Sequence, residues 1–515
     1  MKRWTHFLLI AGLLLAGCSR PKPAPLPEPH PQPEPSTPPV VYDVVIRGGT
    51  LLDGSGAPGA VGDVAIQGDR IVAVGKLGPY EAGRTIDATG LAVAPGFINP
   101  HSHTHDFINP FEEYDATASL MQGITTEVGG VDGRSPVPLG PWLDGLAAKG
   151  TGVNFATFIG QGSVRGEVMG SARGDATPAE LERMRALVKD GMAAGAFGLS
   201  TGLEYQPGSF AKTAEIIELA KVVKPYGGLY STHMRSEGAA IEVALDEALQ
   251  VGREAGIPVN ISHFKIVRPE NWGKLDSLVK KVEEAHAKGE RVIADVYPYL
   301  APDYGVNRPY TEWAGVLPPE AVLFVKAKDS ALVGQTLAAA AKAKGVTSAA
   351  LQAEVLAGDP GARIVALVSS EAALKRFLAA PWSVISTDGE AQPDLGDQDK
   401  ALLTYHFHRR SYGAYAQLFG NYVREQDWLT LEQAVRKATG AVAVSLGLKE
   451  RGYLKVGYFA DVVIFDPKAI EDKTTWLAPQ VYPAGIAYVL VNGKLAVADG
   501  KRMQGRPGVV LRKEG

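Results

Sequence analysis

The residues with the clearest chemistry in this sequence are histidines that follow short apolar runs. His101 and His103 end the segment VAPGFINPHSH, His233 ends GLYSTH, and His263 ends PVNISH. Histidines two residues apart on a strand point to the same side, so the first pair can bind one cation. Four of the ten histidines share this setting. The pattern favours a metal site over scattered packing residues.

Carboxylates follow two further apolar runs. Glu127 lies in ITTEVGG and Asp388 in SVISTDG. Imidazole and carboxylate ligands together suit zinc, with manganese, iron or cobalt as substitutes. Such a metal acidifies water and polarises a carbonyl, while a nearby carboxylate takes the proton and passes it to a leaving nitrogen. We predict that Asp388 is this base; the alternative is a turn residue, which is common in Thr-Asp-Gly.

The elements that must position these residues are short strands alternating with amphipathic helices. We count eight candidate strands between residues 95 and 445, and the helical pattern is clearest at 178–194, 213–224, 238–255 and 272–288. This alternation predicts a (β/α)8 barrel of the TIM type, an α/β fold whose sites form where the strands end. Residues 301–380 are too long for a barrel loop and predict an insertion, with an alanine-rich helical stretch at 330–357.

Both ends of the chain carry strand and hairpin patterns. The segments YDVVIRGGTLLDG and GDVAIQGDRIVAVG near the start resemble ADVVIFDP, GIAYVLVNGKLAV and VVLR near the end. We therefore predict that residues 42–94 and 446–515 form one composite β-sandwich.

The first 40 residues predict export and tethering. Residues 1–17 are typical of a signal peptide, with two basic residues and then an apolar run shorter than the roughly 20 residues that span a bilayer. The tetrapeptide Leu-Ala-Gly-Cys ends at Cys18 and resembles a bacterial lipoprotein cleavage box. The proline-rich stretch 18–40 would be a solvated tether. We expect a lipid anchor at Cys18, in the outer membrane and facing the periplasm if the source is Gram-negative.

Composition narrows the function further. The net charge of -4 and 21% charged residues give no sign of a nucleic-acid partner. Cys18 is the only cysteine, so an internal disulfide, a catalytic thiolate and a thiolate metal ligand are all excluded.

Several motifs together resemble one family. PGFINPHSH resembles the PGFIDxHxH signature of the amidohydrolase superfamily, and ADVVIFDP with VLVNGK resembles its C-terminal strands. GLSTGLEYQPG, YSTHMRSEG, ISHFK, DVYPY, STDG and HRRSYG are similar to motifs of the D-aminoacylases, or N-acyl-D-amino-acid deacylases. The resemblance covers about residues 42–510.

The resemblance implies roles for individual residues. His101 and His103 would serve a more exposed metal position, and His233 and His263 a tighter one. The roles implied beyond these four ligands are an aspartate base (Asp388), an accessory group near the metals (Lys265) and substrate contacts (Tyr205, Tyr297 and Arg410). Arg410 suits a substrate carboxylate because its planar fork can donate two parallel hydrogen bonds.

The departures from the family pattern concern the second strand. D-aminoacylases have a metal-binding cysteine after it, whereas this sequence has TTEVGGVDGRS with Asp132 in the matching place. Asp132 and Glu127 are both candidates to replace that ligand, and a hard carboxylate would loosen selectivity for zinc. Asn99 replaces the usual aspartate of the first motif, and the role of His105 stays open between metal, substrate and neither.

The leading hypothesis is a hydrolase with one or two zinc ions per chain. Its partners would be a small substrate, an N-acyl-D-amino acid or a dipeptide-like amide, and a membrane reached through the lipid anchor. A cyclic amidase or another amidohydrolase activity on the same barrel is the second hypothesis, because a fold does not determine a substrate. The third is an inactive lipid-anchored binding protein, which would need no base beside a metal.

Overall fold

The computed structural model describes residues 17, 40–106, 114–305, 317–389 and 408–514. The predicted signal peptide, Cys18 and nearly all of the tether lie outside the described residues. In the described part of the chain, no helix is long and apolar enough to span a bilayer. Residues from Val41 onward form one compact unit.

The strands are, in chain order, β1 (Val40–Leu51), β2 (Ala60–Gln67), β3 (Arg70–Gly75), β4 (Tyr80–Asp87), β5 (Ala92–Pro95), β6 (Phe97–Asn99), β7 (Ile124–Gly129), β8 (Asn154–Thr157), β9 (Ile159–Gly160), β10 (Gly198–Gly202), β11 (Leu229–His233), β12 (Val259–Ile261), β13 (Val292–Val296), β14 (Asp303–Gly305), β15 (Val322–Lys326), β16 (Arg363–Ala366), β17 (Ser383–Ile385), β18 (Val462–Phe465), β19 (Ile486–Val491), β20 (Lys494–Ala498) and β21 (Lys501–Arg502).

The helices are α1 (Thr117–Leu120), α2 (Leu139–Lys149), α3 (Gln161–Met169), α4 (Pro178–Ala193), α5 (Thr213–Val223), α6 (Ile241–Ala255), α7 (Leu275–Ala287), α8 (Leu337–Lys344), α9 (Ser348–Gly358), α10 (Glu371–Ala379), α11 (Arg410–Gln417), α12 (Leu431–Ala438) and α13 (Gly440–Leu446). A π-helix over Leu418–Glu425 continues α11, and short 3-10 turns lie at Thr104–Asp106, Gly208–Phe210, Lys224–Tyr226, Pro269–Lys274 and Pro319–Ala321.

The central strands form a parallel barrel. One sheet has the order β6-β7-β8, the other the order β9-β10-β11-β12-β13-β17, and β9 follows directly on β8. The two ends of this series meet through a parallel bridge between Ser102 and Gly389, and the His103 N–H donates to the Gly389 carbonyl over 2.9 Å. The α/β barrel of the TIM type is confirmed. Every residue of β6, β7, β10, β11 and β17 is buried, as expected where helices cover a parallel sheet.

The helices begin and end where local signals place them. A capping box, in which Thr177 and Glu180 exchange hydrogen bonds, starts α4. Gly256, with a left-handed φ of 69°, ends α6. The four helices predicted most clearly agree with α4, α5, α6 and α7 to within three residues at each end.

The two chain ends share one continuous nine-stranded sheet and one hydrophobic core. Its order is β21-β20-β19-β18-β5-β1-β2-β3, with β4 paired to β1. The sheet is continuous because β5 pairs with β1 on one side and with β18 on the other. The VVLR segment at the C-terminus lies elsewhere: Val510 pairs with Phe155 of the barrel.

The predicted insertion is a small subdomain with its own core. It contains the sheet β14-β16-β15 and the helices α8 and α9, which Gly345 separates. The next helix, α10, packs against β13 and β17 of the barrel. The insertion therefore ends before residue 371, earlier than the predicted 380.

Candidate metal centre and active site

Four histidines surround one carboxylate at the C-terminal ends of the barrel strands. Asp132 Oδ1 lies 3.5 Å from His101 Nε2. Its Oδ2 lies 3.6 Å from His103 Nε2, 3.7 Å from His233 Nδ1 and 3.5 Å from His263 Nε2. We call these five residues and Asp388 the mouth cluster. Asp132 is thus within 3.7 Å of a ring nitrogen of each of the four histidines and could contribute a metal ligand.

Asp388 approaches the same ring nitrogens of His101 and His103 as Asp132 does. Its Oδ1 is 3.4 Å from His101 Nε2 and 3.2 Å from His103 Nε2, and its Oδ2 contacts the Arg410 guanidinium. Burial by itself would raise the pKa of Asp388, but Arg410 and His263 hold that pKa well below its usual range. The carboxylate is therefore ionised and can accept a proton.

Three members of the mouth cluster have strained backbones. The φ angles are +52° at Asp132, +33° at His263 and +50° at Asp388. Non-glycine residues rarely adopt the left-handed region, and such strain is typical of functional sites. Tertiary hydrogen bonds hold two of these conformations, because Asp388 N–H donates to the His101 carbonyl (3.1 Å) and His263 N–H to Asp295 Oδ1 (2.9 Å).

Four buried nitrogen and oxygen atoms of the mouth cluster have no hydrogen-bond partner within the described residues. They are both ring nitrogens of His101, Oδ1 of Asp132 and Nε2 of His233. Two of them, His101 Nε2 and Asp132 Oδ1, lie 3.5 Å apart. Buried polar atoms are normally satisfied, so this unsatisfied pair fits a bound cation. Burial would lower the pKa of His103, yet Asp106 and Asp388 raise that pKa to about 10. The surrounding charge thus favours a cation at this point.

Glu127 is not brought to the mouth cluster. Its carboxylate accepts hydrogen bonds from Ser119 (2.6 Å), Thr104 (2.8 Å) and Tyr114 (3.1 Å). It lies inside β7, whereas Asp132 lies on the loop beyond the strand, where the histidines converge. Of the two candidate replacements for a cysteine ligand, the structure favours Asp132 and corrects the expectation for Glu127.

Two carboxylates that orient the histidines were missed by the sequence reasoning. The first is Asp295 in the DVYPY motif. It accepts hydrogen bonds from His263 N–H, Ser386 Oγ (2.7 Å) and Asn260 Nδ2 (2.8 Å), and lies 3.6 Å from His101 Nδ1. Carboxylates behind metal-binding histidines fix their orientation. The DVYPY motif is present in the sequence, but nothing in its local pattern shows which histidines Asp295 contacts.

The second missed carboxylate is Glu237 of the YSTHMRSEG motif. Its Oε1 lies 2.9 Å from His263 Nδ1 and accepts a hydrogen bond from Lys265 Nζ over 2.5 Å. Burial would raise the pKa of Glu237, but Lys265 lowers that pKa to about 2. Burial would likewise lower the pKa of Lys265, and Glu237 raises it above its ordinary value. Both groups are charged at neutral pH.

The predicted substrate residues line the same mouth. Tyr205 Oη lies 3.2 Å from His233 Nδ1. The Arg410 guanidinium lies 5.1 Å from the Tyr297 ring centroid, and Lys265 Nζ lies 5.5 Å from that centroid. Tyr297 Oη is buried, with no hydrogen-bond partner in the described part of the chain. These side chains surround the space beside Asp388.

His105 and Asn99 have structural contacts. His105 Nδ1 accepts a hydrogen bond from Gly130 N–H (3.0 Å), and burial lowers the pKa of His105 to about 4, so its ring is neutral. Asn99 accepts from Thr387 N–H (3.0 Å) and donates to Thr387 Oγ1 (2.8 Å). Asn99 thereby ties the end of β6 to the end of β17.

The chain is similar to known proteins of one family. Residues 84–311 and 326–497 match the amidohydrolase family. The chain is 34% identical over 475 residues to the D-aminoacylase of Alcaligenes xylosoxydans xylosoxydans, covering 88% of this chain and 94% of that protein. It is also 34% identical over 505 residues to the N-acyl-D-glutamate deacylase of the same organism, covering 92% and 97%.

A solved structure shows the same architecture. The N-acyl-D-glutamate deacylase of Bordetella bronchiseptica, in complex with zinc and a phosphonate inhibitor, superimposes with a TM-score of 0.80 at 32% identity. The match covers 92% of this chain and 99% of that one.

Proposed function

The chain belongs to the amidohydrolase family, and from that membership we propose that it is a metal-dependent hydrolase of N-acyl-D-amino acids or dipeptide-like amides with a D-residue. The observation that carries this proposal is the mouth cluster, in which four histidines surround Asp132 beside the ionised Asp388. The two Alcaligenes relatives are named for the same class of substrate.

The mouth cluster would hold one or two zinc ions. Each of His101, His103, His233 and His263 has a ring nitrogen within 3.7 Å of an Asp132 oxygen, and all five residues could supply ligands. The Bordetella relative was solved with zinc. When bound, zinc polarises the amide carbonyl and makes water a stronger acid.

Asp388 would move the proton. Because Arg410 keeps it ionised, it can take a proton from the attacking water and deliver it to the nitrogen of the leaving amine. The product is a carboxylic acid and a free D-amino acid. Turnover needs both proton transfers, from the water to Asp388 and from Asp388 to the leaving nitrogen. Asp388 is therefore the residue whose substitution should reduce activity most.

Tyr297 and Arg410 would orient the substrate. Burial raises the pKa of Tyr297, so its hydroxyl stays protonated and can donate a hydrogen bond to the oxygen of the tetrahedral intermediate. Arg410 lies next to the same ring and can receive the substrate carboxylate with its planar fork. Lys265 and Tyr205 complete the polar wall of the mouth.

The test combines metal analysis with stereoselective hydrolysis. On the protein without residues 1–20, we expect zinc at one or two per chain and cleavage of N-acetyl-D-amino acids that a chelator abolishes and zinc restores. The matching N-acetyl-L-amino acids should be cleaved far more slowly. A protein that holds no metal and cleaves neither series would contradict the proposal.

We also propose that the chain is a lipoprotein anchored through Cys18, in the outer membrane and facing the periplasm if the source is Gram-negative. The apolar run, the Leu-Ala-Gly-Cys box and the proline-rich tether support this. Labelling with a radioactive fatty acid should mark the wild-type protein and leave Cys18→Ala unlabelled. Equal labelling of both would contradict the anchor.

A further inference from the structure

We propose that Asp472, in the loop between β18 and β19, is a positioning residue for Arg410. This inference rests on the proposed function, in which Arg410 receives the substrate carboxylate. Asp472 belongs to the nine-stranded sheet region of the chain, far in sequence from the barrel strands. It acts on Arg410 through the preceding residue, Arg409.

Arg409 is held by hydrogen bonds and by two neighbouring aromatic rings. Its Nη2 donates to Asp472 Oδ2 over 2.7 Å and its Nε to Thr474 Oγ1 over 2.9 Å. Its guanidinium also lies 5.0 Å from the Tyr299 ring centroid and 5.1 Å from that of Trp476. A guanidinium held by two hydrogen-bond acceptors and two rings has little freedom to move.

Asp472 is itself held firmly. Its side chain is 2% exposed, Tyr299 Oη donates to Oδ2 (2.7 Å), and Thr474 N–H donates to Oδ1 (2.8 Å). Helix α11 packs directly on it, because a Cβ added at Gly413 would lie 2.2 Å from Asp472 Oδ1. The carboxylate therefore fixes the start of α11 as well as Arg409.

The fixed position passes to Arg410 along the backbone. Arg410 is the first residue of α11, and its N–H donates to His408 Nδ1 over 3.0 Å. His408 in turn donates from Nε2 to the Ala301 carbonyl (2.8 Å) and packs edge-on against Trp476 (5.0 Å between centroids). With residues 408 and 409 both immobilised, the Arg410 side chain is aimed at Asp388.

This arrangement predicts an effect on substrate binding more than on chemistry. If Asp472 is lost, Arg409 is released and Arg410 meets the substrate carboxylate less often in the right geometry. The backbone of Asp388 and the histidines keep their positions, because none of their hydrogen bonds within the described residues involves Asp472. A change in KM without a matching change in kcat is the expected signature.

The experiment compares Asp472→Asn with Glu450→Gln in the full chain. Glu450 forms the exposed ion pair with Arg70 in the same sheet region, so it controls for losing a carboxylate there. We expect Asp472→Asn to raise KM for an N-acetyl-D-amino acid about tenfold, with kcat within about twofold of wild type, and Glu450→Gln to match wild type. Calorimetry on the zinc-depleted proteins should show the same tenfold loss of binding for the acid and none for its carboxamide.

The inference is overturned if Asp472→Asn binds the acid like wild type, or loses acid and carboxamide binding equally. If Asp472→Asn fails to give a native melting transition, Arg409→Lys replaces it in the same measurements. Lysine keeps the positive charge but cannot make both hydrogen bonds of the planar guanidinium. A wild-type protein that binds the acid without cleaving it would contradict the proposed function. The binding comparison between wild type and Asp472→Asn would then still decide whether Asp472 positions Arg410. A wild-type protein that does not bind the acid overturns both.

Discussion

The barrel has a buried polar cluster at each end, and the two differ in how well their atoms are satisfied. At the mouth, ligand atoms of His101, Asp132 and His233 lack hydrogen-bond partners within the described residues. At the opposite end, Asp461 accepts hydrogen bonds from Asn154 (3.0 Å), the Asn492 backbone (2.8 Å) and Arg451. We call Asn154, Arg451, Asp461 and Asn492 the base cluster.

The base cluster joins the barrel to the nine-stranded sheet. Asn492 Nδ2 donates to Asn154 Oδ1 and to the Pro507 carbonyl, both over 2.8 Å, and only its Oδ1 is left without a partner in the described chain. A polar network whose atoms are nearly all hydrogen-bonded to each other holds the barrel and the sheet in one arrangement and offers few atoms to a ligand. The unsatisfied network at the mouth is a binding site. Hydrogen-bond satisfaction, more than burial or charge, separates function from structure here.

The largest effect that would test this contrast is Asp388→Asn. Asparagine tolerates the left-handed backbone at this position, so the fold should persist while the base is lost. We expect kcat to fall about 10²- to 10⁴-fold, measured on an N-acetyl-D-amino acid, in a protein that still melts cooperatively. Activity near wild type would show that Asp388 is only a turn residue.

Asp461→Asn should do the reverse. It leaves the buried Arg451 without its counter-charge, which costs about 3 to 5 kcal/mol of the free energy of unfolding, while kcat stays at the wild-type value. Urea denaturation measures the first and initial rates the second. Glu450→Gln, in an exposed ion pair, should cost less than about 1 kcal/mol. A stable Asp461→Asn, or one that loses kcat, would break the contrast between the two ends.

Lys437 is a buried charged group whose hydrogen-bond acceptors within the described residues are all uncharged oxygens, so it tests the role of hydrogen-bond satisfaction separately from charge pairing. Its Nζ donates to the carbonyls of Ala380 and Ser383 and to Ser383 Oγ (2.8 Å), and burial lowers the pKa of Lys437 to about 7. Between pH 7 and 10.5 the unfolded chain binds the extra proton, so stability rises with pH across that window and is flat below it.

Relative to Lys437→Met, wild type should therefore gain about 2 to 4 kcal/mol in free energy of unfolding from pH 7 to pH 10. Urea denaturation at several pH values measures the difference between the two proteins, in which shared titrations cancel. Parallel pH curves would contradict the lowered pKa.

The smallest effect concerns metal choice at Asp132. Asp132→Cys replaces a hard carboxylate by a soft thiolate, so we expect zinc to be favoured over manganese by about tenfold more than in wild type. Elemental analysis after equilibration with both metals measures the ratio. Glu127→Gln is the control and should leave metal content unchanged, because the hydroxyl groups that bond Glu127 belong to residues outside the mouth cluster. An unchanged ratio in Asp132→Cys would remove Asp132 from the ligand set.

Much of the fold and part of the site were predictable from local patterns. The helices α4, α5, α6 and α7 have strong amphipathic periodicity and clear end signals, so their bounds came out close. The histidines were found because they end apolar runs, and parallel strands all end at one face. The end of the insertion was misplaced because α10 resembles the helices before it and only its packing on β13 and β17 assigns it to the barrel.

The sequence by itself determined the barrel and placed the four histidines and Asp388 at the ends of its strands, because each of these depends on residue type and position along one strand. Only the tertiary structure decided that Asp132 and not Glu127 joins the histidines, since one lies on a loop beyond β7 and the other faces three hydroxyls. Tertiary structure likewise revealed Asp295, Glu237 and Asp472. Their roles are contacts between residues far apart in the chain, and no local pattern encodes which distant partner a buried carboxylate will meet.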